Sequence, residues 1–471
     1  MKILVAIANY GQKNLRFAQR LIDTYRGFSD EVDVVVLSNI EKDFGPDVEV
    51  RVGLPTSDGW SLPFAHKQLF FERRDQYDLF IYSEDDTEVT QVHVDAFMAA
   101  TEILPKDHIA GFIRYEDSPN GTRFYSTCHG NYYWDPNSVL RISDRVFARY
   151  TNDHAACYLL TRRQLAHCID SGGFMVGPYK GRYDMLCSAA TDPYTRCELT
   201  KVICISHIEE FLLHHLPDLY LGRIGVEKQE IDAQIVRLLQ LEGSNEPRGP
   251  LVEPTARLEL ADFDKCYSEP VRPDVIELIP VPPARILSVG CTRGLTEAAL
   301  IARGHRVTAI PLDCVIAEAA RMRGIETTTP DVGRALEELG DARFDVLLFN
   351  DLLDHIEEPP SLVRSLARVL APGGCAIASF RNWRHPSVLQ RRLSDRRFAA
   401  VFEQAGDFAR SGVHRADAGE IRGWLAQAGF RVERSVYDVQ GRYRRYAGLL
   451  LGLANRWLGQ VGAMRAVRAI G

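Results

Sequence analysis

Residues 285–294 read RILSVGCTRG, and they decide the fold of the second half of the chain. The apolar run at the start of this stretch is typical of a buried strand, and helical periodicity follows it from residue 295. Gly290 and Gly294 permit a tight turn between the two elements and let a ligand approach the backbone N–H groups there. The stretch therefore predicts a strand, a glycine loop and a helix, with a ligand site at the loop.

Strand and helix patterns go on alternating after this loop. Such alternation predicts a largely parallel sheet that is covered by helices. The predicted strands are residues 285–289, 307–310, 344–349 and 376–379, and the predicted helices are residues 295–303, 314–323 and 361–370.

The first half of the chain shows the same alternation. Its continuous apolar runs, such as VDVVVL and DLFIYS, are typical of parallel strands that are buried on both faces. The predicted strands are residues 3–8, 32–37, 79–82 and 108–113, with predicted helices at residues 15–25 and 94–104. The fold class is therefore α/β, with two doubly wound domains.

Prolines separate the two halves, and a chain of 471 residues is long enough for two to three domains. We place an α/β domain at residues 1–242, a linker at 243–265, a second α/β domain at 266–437 and a C-terminal tail at 438–471. The prolines of the intervening stretch disfavour a continuous helix or a central strand there; they are Pro247, Pro250, Pro254, Pro270, Pro273, Pro280, Pro282 and Pro283.

The tail from residue 438 is basic, with arginines at 442, 444, 445, 456, 465 and 468. A basic amphipathic helix that lies on an anionic membrane surface is one interpretation, and a helix packed on its own domain is the other. The chain has no apolar run long enough to span a bilayer, and its first residues lack the pattern of a signal peptide. We expect a cytoplasmic protein, with peripheral contact at the inner membrane surface if the tail binds lipid.

Composition excludes some classes of partner. The net charge is −7 and the sequence pI is about 6.0, which argues against a nucleic-acid partner. The ten cysteines form no CxxC pair, so they indicate reduced, buried thiols and not a zinc site or a disulfide framework. The oligomeric state is left open.

An acidic cluster ends the third predicted strand of the first domain. Residues 77–86 read YDLFIYSEDD, so the strand runs into Glu84, Asp85 and Asp86. Open α/β sheets bind ligands at the carboxyl ends of their strands, and hard oxygen ligands suit Mn²⁺ or Mg²⁺. A solvated acidic turn is the structural alternative. Asn9 and Tyr10 end the first strand, where a nucleoside would rest.

This arrangement resembles the A-type glycosyltransferase fold, in which an Asp-any-Asp metal motif follows a middle strand of a nucleotide-binding sheet. The resemblance covers residues 1 to about 225. Glu84 and Asp86 occupy the acidic positions of the motif, and Glu84 departs from the usual Asp. The resemblance implies a divalent cation, a nucleotide sugar as donor, and a glycan or glycolipid as acceptor.

The same resemblance implies two further groups. Inverting members carry a carboxylate base after a glycine-rich loop, which fits Asp184, with Asp192 and the Asp153–His154 pair as alternatives. A helix N-cap is an equal interpretation of Asp184. Some members complete the metal shell with a histidine near the end of the domain, which fits His215 or its neighbour His214.

Landmarks after residue 285 resemble those of the class I S-adenosylmethionine-dependent methyltransferases, over residues 266 to about 437. The landmarks are the glycine loop, FDVLLFNDLLDH at 344–355, VLAPGG at 369–374, SFRN at 379–382 and AGF at 428–430. The resemblance implies S-adenosylmethionine as cofactor, bound at Gly290 and Gly294, with Asp331 facing the adenine and Asn350 lining the methionine side.

Three positions depart from that family, and one of them is Thr292, which stands where the middle glycine of the loop is expected. Ser288 stands where an acid reaches the methionine end of the cofactor, and Pro311 stands where an acid grips the ribose. Asp313, two residues further on, is the candidate substitute. A base for alkylation is open among His355, His385 and His414, each of which also has a structural interpretation.

We expect a bifunctional enzyme that transfers a sugar with its first domain and methylates a glycan hydroxyl with its second. A covalent fusion raises the effective concentration for sequential steps on one acceptor. The alternatives are a glycosyltransferase with a non-catalytic methyltransferase-like module, and a methyltransferase whose first domain only recruits substrate.

Overall fold

The computed structural model of the chain describes residues 1–125, 133–221, 225–439 and 455–469, apart from the side chain of Trp457. It divides into two compact units, Met1–Ser244 and Asn245–Gly471. The sequence places the corresponding boundary at residue 242. Each unit is an α/β structure, as the alternation of patterns predicted.

The first unit is built on a sheet with the order β11-β4-β1-β2-β3. The strands are β1 (Lys2–Asn9), β2 (Glu31–Ser38), β3 (Val48–Val52), β4 (Leu79–Glu84), β5 (Thr87–Glu88), β6 (His108–Ala110), β7 (Ile113–Asp117), β8 (Arg123–Tyr125), β9 (Trp134–Ile142), β10 (Arg145–Tyr150), β11 (Cys157–Thr161), β12 (Thr200–Cys204), β13 (Leu212–His215) and β14 (Val226–Glu227). The helices are α1 (Leu15–Arg26), α2 (Ala65–Arg73), α3 (Gln91–Ile103), α4 (Arg162–Asp170), α5 (Met185–Ala189), α6 (Asp192–Thr195) and α7 (Lys228–Leu241).

Strands β1 to β4 of this sheet are parallel, and β11 is antiparallel to β4. Val5 lies opposite Val34 of β2 and Ile81 of β4, and Ala8 lies opposite Glu84. The chain therefore reverses its winding between β1 and β4, where the carboxyl ends of the two strands are neighbours. A crevice at this point is the usual ligand site of an open α/β sheet.

Two smaller sheets complete the first unit, with the orders β6-β12-β10-β9 and β14-β8-β7-β13-β5. The sequence predicts one strand over residues 108–113, but the structure has β6 and β7 in different sheets. Gly111 lies at the break, and a Cβ there would be only 2.3 Å from the Lys201 side chain. The close packing of Lys201, which is distant in the sequence, thus explains why the strand is interrupted at Gly111.

The second unit contains one sheet with the order β17-β16-β15-β18-β19-β21-β20. The strands are β15 (Arg285–Cys291), β16 (Arg306–Pro311), β17 (Glu326–Thr327), β18 (Phe344–Phe349), β19 (Leu370–Arg381), β20 (Phe430–Asp438) and β21 (Val461–Arg468). The helices are α8 (Pro273–Leu278), α9 (Leu295–Ile301), α10 (Ile316–Arg321), α11 (Val332–Leu339), α12 (Pro359–Leu366), α13 (Pro386–Ser394), α14 (Arg396–Gln404), α15 (Phe408–Ser411), α16 (Ala418–Gln427) and α17 (Asn455–Leu458).

The winding of this second sheet also reverses, between β15 and β18. From β15 the chain builds β16 and β17 on one side, and then β18 and β19 on the other, all of them parallel. The core around β15 is apolar, with Ile286, Val346 and Ile377 fully buried. The loops after β15 and β18 therefore meet at a crevice of the kind that binds ligands.

Where the structure describes the tail after residue 438, it forms the short helix α17 and then a strand. Residues 461–468 form β21, which pairs antiparallel with both β19 and β20. Ala463, Met464 and Ala466 are buried in the sheet. Arg465 is half-buried and Arg468 is exposed, whereas the apolar side chains pack within the sheet. Arg442, Arg444 and Arg445 lie outside the described residues.

The stretch predicted as a linker, residues 243–265, is packed into the second unit from residue 245. The N–H of Leu251 donates to the carbonyl of Leu312 at 2.6 Å. Ala256, Leu258 and Phe263 join a buried cluster that includes Phe402. Prolines exclude regular helix and strand from this stretch, but its apolar side chains still bury surface, so it is part of the domain.

No helix in the described ranges is both long and apolar enough to cross a membrane. The described cysteines form no disulfide, and all of them except Cys266 are buried. The predicted burial agrees with the structure for the described cysteines other than Cys266, and their reduced state stays a prediction; Cys128 lies outside the described residues.

Candidate functional site

The acidic cluster of the first unit lies at the carboxyl end of β4, beside the end of β1. Asp85 is buried, and the Nδ2 groups of both Asn9 and Asn14 donate to its carboxylate, the latter at 2.8 Å. Asn14 also donates to Asp86 at 3.2 Å. Burial, together with the neighbouring Asp86, raises the pKa of Asp85 to about 7. The amide groups of Asn9 and Asn14 thus stabilise the negative charge of the cluster from the side of β1.

On the other side of the cluster, an imidazole stabilises the negative charge. His215 ends β13 and is buried, with its Nε2 at 3.6 Å from Asp86 and its Nδ1 at 2.6 Å from Glu116. Although burial opposes the charged form, these two carboxylates raise the pKa of His215 to about 9. His215 is therefore a buried cation between two anions.

The predicted metal set does not come together as a metal centre. Glu84 faces His154, with 3.4 Å between Oε1 and Nε2, while Asp85 turns to the asparagines and Asp86 to His215. Within the part of the chain that the structure describes, no three His, Cys, Asp or Glu side chains could hold a metal ion together. The Asp85 carboxylate accepts from amide donors, whereas the buried Oδ1 of Asp86 has no hydrogen-bond partner among the described residues.

A cavity of about 450 Å³ opens near the carboxyl ends of β2 and β3. Lys67 lies in its wall, pairs with the buried Asp192 and stands 4.4 Å from the centre of the Phe64 ring. Apolar groups predominate in the lining, which consists of Leu37, Arg51, Val52, Gly53, Leu54, Pro55, Phe64, Ala65, Lys67, Gln68, Met175, Val176, Gly177 and Pro178. Two of these lining residues, Arg51 and Lys67, are cationic.

The carboxylates predicted as catalytic bases in the first unit have structural partners. Asp184 is the N-cap of α5 and accepts from the N–H of Cys187 at 2.9 Å, which is the alternative that the sequence allowed. Asp192 accepts from Lys67 and from the Tyr179 hydroxyl. Tyr10, predicted to contact a nucleoside, is 54% exposed beside Gly59.

In the second unit, the glycine loop joins β15 to α9 as predicted. Gly290 and Gly294 both have φ of +74°, a conformation that favours glycine. A Cβ on Gly290 would lie 2.6 Å from Leu352, and one on Gly294 would lie 2.2 Å from Ile325. Both glycines are thus required by the backbone and by the apolar side chains packed against the loop.

A buried polar cluster faces this loop. Lys265 pairs with Glu269, and its Nζ also donates to the carbonyl of Asn350 at 2.8 Å. Glu269 further accepts from the Thr292 hydroxyl at 3.4 Å and from Asn350 Nδ2 at 3.3 Å. Burial raises the pKa of Glu269, and the neighbouring Lys265 ammonium group opposes this rise. The cluster joins the segment before β15 to the ends of β15 and β18.

A second buried ion network supports the end of β18. Arg272 donates to Asp274 at 2.7 Å and to Asp351 at 2.6 Å. Asp351 has φ of +43° and accepts from the Ser379 hydroxyl at 2.8 Å. An aspartate held in the left-handed region marks a constrained turn, and such turns concentrate at functional sites.

The two carboxylates predicted to bind the nucleoside of the cofactor lie after β16 and β17. Asp313 is fully buried, accepts from the N–H groups of Val315 and Ile316 at 2.8 Å, and also accepts from the Tyr267 hydroxyl. Asp331 caps α11 by accepting from the N–H of Arg334 at 2.8 Å. Both side chains organise local backbone, and their roles toward the cofactor stay predictions.

The three candidate histidines differ in their surroundings. His355 is buried after β18, burial lowers its pKa to about 4, and its Nδ1 has no hydrogen-bond partner among the described residues. His414 lies 3.0 Å from the carbonyl of Ile356 and stacks on Phe408. His385 caps α13. His414 and His385 thus have structural roles, whereas His355 keeps an unused nitrogen.

Comparison with known proteins identifies the second unit. A family model described as a methyltransferase domain matches residues 263–435. The ubiquinone biosynthesis O-methyltransferase of Xylella fastidiosa strain 9a5c is 32% identical over 183 residues, which cover 36% of this chain and 70% of that protein. The chain belongs to the methyltransferase family. The same enzyme of Paracidovorax citrulli is 33% identical over 108 residues, which are 22% of this chain and 45% of that protein.

Solved methyltransferase structures also match part of the chain. One is a methyltransferase from Thermotoga maritima described as a possible histamine N-methyltransferase, with 17% identity, a TM-score of 0.30, and coverage of 42% of this chain and 86% of that one. Another comes from Methanosarcina mazei, with 17% identity, a TM-score of 0.31, and coverage of 43% and 100%.

The residues of the methyltransferase domain fit S-adenosylmethionine, the methyl donor that the sequence resemblance implies. Asn350, predicted to line the methionine side, is buried, and its Oδ1 has no hydrogen-bond partner among the described residues. A buried polar atom without a partner is uncommon and points to a missing ligand group. Carboxylate, amide and ammonium groups stand together around it and match the polar end of such a donor.

Sequence reasoning missed Lys265 and Glu269, which lie before the predicted start of the domain at 266 or close to it. One signal was available. Lys265 is the single lysine in residues 245–471, where all other long cationic side chains are arginines. In the first unit, Lys42 was also missed; it donates to the carbonyl of Asn9 at 2.7 Å.

Proposed function

We propose that the methyltransferase domain transfers a methyl group from S-adenosylmethionine to a hydroxyl oxygen of its acceptor. The observation that carries this proposal is the buried polar cluster at the glycine loop, centred on Asn350 and its unpartnered Oδ1. The relatives from Xylella and Paracidovorax are named as O-methyltransferases, and this supports oxygen as the methylated atom.

His355 is the proposed hydrogen-bond partner of that hydroxyl. Because burial lowers its pKa to about 4, the imidazole is neutral near pH 7 and a weak base, so its Nδ1 orients the hydroxyl by accepting a hydrogen bond. It follows β18 at the same edge of the sheet as Asn350. Methyl transfer depends mainly on alignment of the reacting atoms, so we expect a lower rate without His355 but unchanged donor binding.

Binding and turnover test this function separately. Calorimetry with S-adenosylhomocysteine, the product form of the donor, reports whether the site is real, and Asn350→Ala is expected to weaken binding about tenfold. Radiolabelled methyl transfer to a panel of glycans and small hydroxylated acceptors reports catalysis. Binding without transfer to any acceptor would favour a non-catalytic module, and no binding would exclude the function.

For the first unit we propose glycosyl transfer from a nucleotide sugar to a glycan or glycolipid, which the methyltransferase domain then modifies. Three features support it: the reversal of winding between β1 and β4, the Asn9–Asp85 pair at that point, and the cavity of about 450 Å³ near the neighbouring strand ends. We propose that His215 and the asparagines stabilise the charge on the carboxylate oxygens that they contact, and that the donor binds without a divalent cation.

Donor binding tests the role of the first unit. We would titrate a panel of nucleotide sugars by ligand-observed NMR, with Mn²⁺ and again with a chelator. We expect at least one donor to bind under both conditions and Asp85→Asn to alter its affinity, whereas Asp75→Asn, an exposed carboxylate, leaves it unchanged. If no donor binds to the wild-type protein, the first unit is a recruiting module and not a transferase.

A further inference from the structure

The ion pair between Lys265 and Glu269 is buried, and nothing in the fold alone requires it. A buried ion pair rarely stabilises a protein more than apolar side chains of similar size would, because both charges lose their hydration. The Lys265 side chain is 1% exposed and the Glu269 side chain 11%. A pair kept in such a place is more readily explained by a ligand than by stability.

The hydrogen bonds of the pair are incomplete. Glu269 Oε2 accepts only at the long distances of 3.4 Å from Thr292 and 3.3 Å from Asn350. The remaining oxygen of the Asn350 amide has no partner among the described residues. The cluster therefore holds one anion, one cation and one unused acceptor, all buried at the edge of the sheet where the glycine loop lies.

The end of β15 does not supply the anion that the family resemblance implies there. Ser288 is fully buried, and its hydroxyl donates to Glu297 at 2.7 Å. A neutral hydroxyl committed to another residue cannot neutralise an ammonium group. Glu269 carries the negative charge instead, from the segment that precedes the strand.

We propose that Lys265 and Glu269 bind the amino-acid end of S-adenosylmethionine, Lys265 through its carboxylate and Glu269 through its ammonium group. This inference rests on the proposed methyl transfer and names the residues that select the donor. The amino-acid end carries one charge of each sign. When it binds, Lys265 exchanges Glu269 for the carboxylate of the donor and Glu269 exchanges Lys265 for the ammonium group, so the net charge of the site does not change. Asn350 Oδ1 is a second acceptor for the ammonium group.

Two nucleosides that differ only at the amino-acid end provide the test. S-adenosylhomocysteine carries that end, and 5′-methylthioadenosine lacks it while keeping the adenosine and the sulfur. We expect the wild-type protein to bind the first at least about tenfold more tightly than the second, as charge-assisted hydrogen bonds allow. Calorimetry at pH 7 measures both dissociation constants and requires no turnover.

The double variant Lys265→Met/Glu269→Met is the decisive change, because replacing both ions by apolar side chains avoids a lone buried charge. We expect the affinity of this variant for S-adenosylhomocysteine to fall to its affinity for 5′-methylthioadenosine. The affinity for 5′-methylthioadenosine should change less than about twofold from the wild type. Glu433→Gln, a substitution of an exposed carboxylate on β20, is the matched control and leaves both affinities unchanged.

The outcomes are distinct. If the double variant still distinguishes the two nucleosides as the wild type does, the ion pair is structural and the inference is wrong. If the wild-type protein binds neither nucleoside, the proposed methyl transfer fails and the inference fails with it. If 5′-methylthioadenosine keeps its affinity while the preference for S-adenosylhomocysteine is lost, the variant is folded and the inference holds.

Discussion

His215 lies between Asp86 and Glu116, and its protonation state is coupled to the stability of the first unit. An isolated imidazole would lose its proton near pH 6.5, and burial alone would favour the neutral form still more. The two carboxylates reverse this preference and raise the pKa to about 9. The folded state therefore binds a proton that the unfolded chain has already released in this range.

This coupling predicts a pH-dependent stability. The contribution of His215 is fully present below about pH 6.5 and is lost as the pH rises through about 9, with an upper limit of about 3 kcal/mol. Hydrogen exchange of β13 peptides, measured between pH 6.5 and 9 after correction for intrinsic rates, should show falling protection. In His215→Asn the protection is lower at pH 6.5 and nearly independent of pH.

The control for this prediction is His207→Asn. The imidazole of His207 contacts the Ser206 hydroxyl at 3.0 Å and has no carboxylate among its recorded contacts. This variant should keep the pH dependence of the wild type. A pH dependence that survives in His215→Asn would assign the effect to another group.

At the scale of elements, the turn between β15 and α9 shows how a glycine loop is fixed by packing. Gly290 combines a positive φ with a close neighbour, Leu352, whereas Gly373 has a similar φ of +77° and open space around it. Alanine at Gly373 would therefore experience only backbone strain, whereas alanine at Gly290 would experience backbone strain and steric overlap with Leu352.

We predict different costs for alanine at these two positions. Gly373→Ala should lower the free energy of unfolding by about 1 kcal/mol through backbone strain alone. Gly290→Ala should cost about 1–3 kcal/mol more, because its Cβ overlaps the Leu352 side chain. Urea denaturation measures both, and in a Leu352→Ala background Gly290→Ala should cost only about as much as Gly373→Ala does in the wild type. Equal losses at the two glycines would contradict the role of Leu352.

β21 is the other element with a specific consequence, because it lies between β19 and β20. Met464 is fully buried and lies opposite Ala378 on one side and Ser435 on the other. Proline there removes a ladder hydrogen bond from a central strand. We predict that Met464→Pro destabilises the methyltransferase domain by about 3 kcal/mol or more.

Hydrogen exchange of peptides from β19 and β20 measures this effect, and both should lose protection together. Ala469→Ser, just beyond the strand, is the control and should change nothing. If Met464→Pro left β20 protected, the pairing of β21 with that strand would be wrong.

At the scale of the whole chain, the boundaries of the second unit can be tested by fragments. Residues 245–471 contain the complete unit, while residues 266–437, the range indicated by the sequence, omit the segment that bonds Leu312 and the strand β21. We predict that the first fragment melts cooperatively in circular dichroism and binds S-adenosylhomocysteine. The shorter one should do neither, and cooperative melting of it would refute these boundaries.

Local patterns were enough to predict most of the central strands. Apolar runs identified β1, β2, β4, β15, β16 and β18, because burial on both faces leaves a continuous signal in the sequence. The break at Gly111 was not predictable, since it depends on Lys201, which is distant in the chain. β21 was missed because its arginines suggested a surface helix.

The candidate sites were predictable only in part. Asn9, Asp85 and Asn350 lie at strand ends, as the sequence indicated, and their ligand-binding roles stay predictions. Which partners these side chains choose is a three-dimensional property, so the sequence suggested a metal where the structure has amides and an imidazole. Lys265 and Glu269 belong to no motif, and only the fold brings them to the loop.

The position of β21 also constrains the order in which the protein is made. The ribosome delivers β20 before β21, yet in the finished sheet β20 touches β19 only through β21. The nascent chain can assemble the strands up to β19 early, but β20 has no place to dock until residues through 468 have left the exit tunnel. Translation that pauses in this interval exposes two unpaired strand edges, where chaperones would be expected to bind.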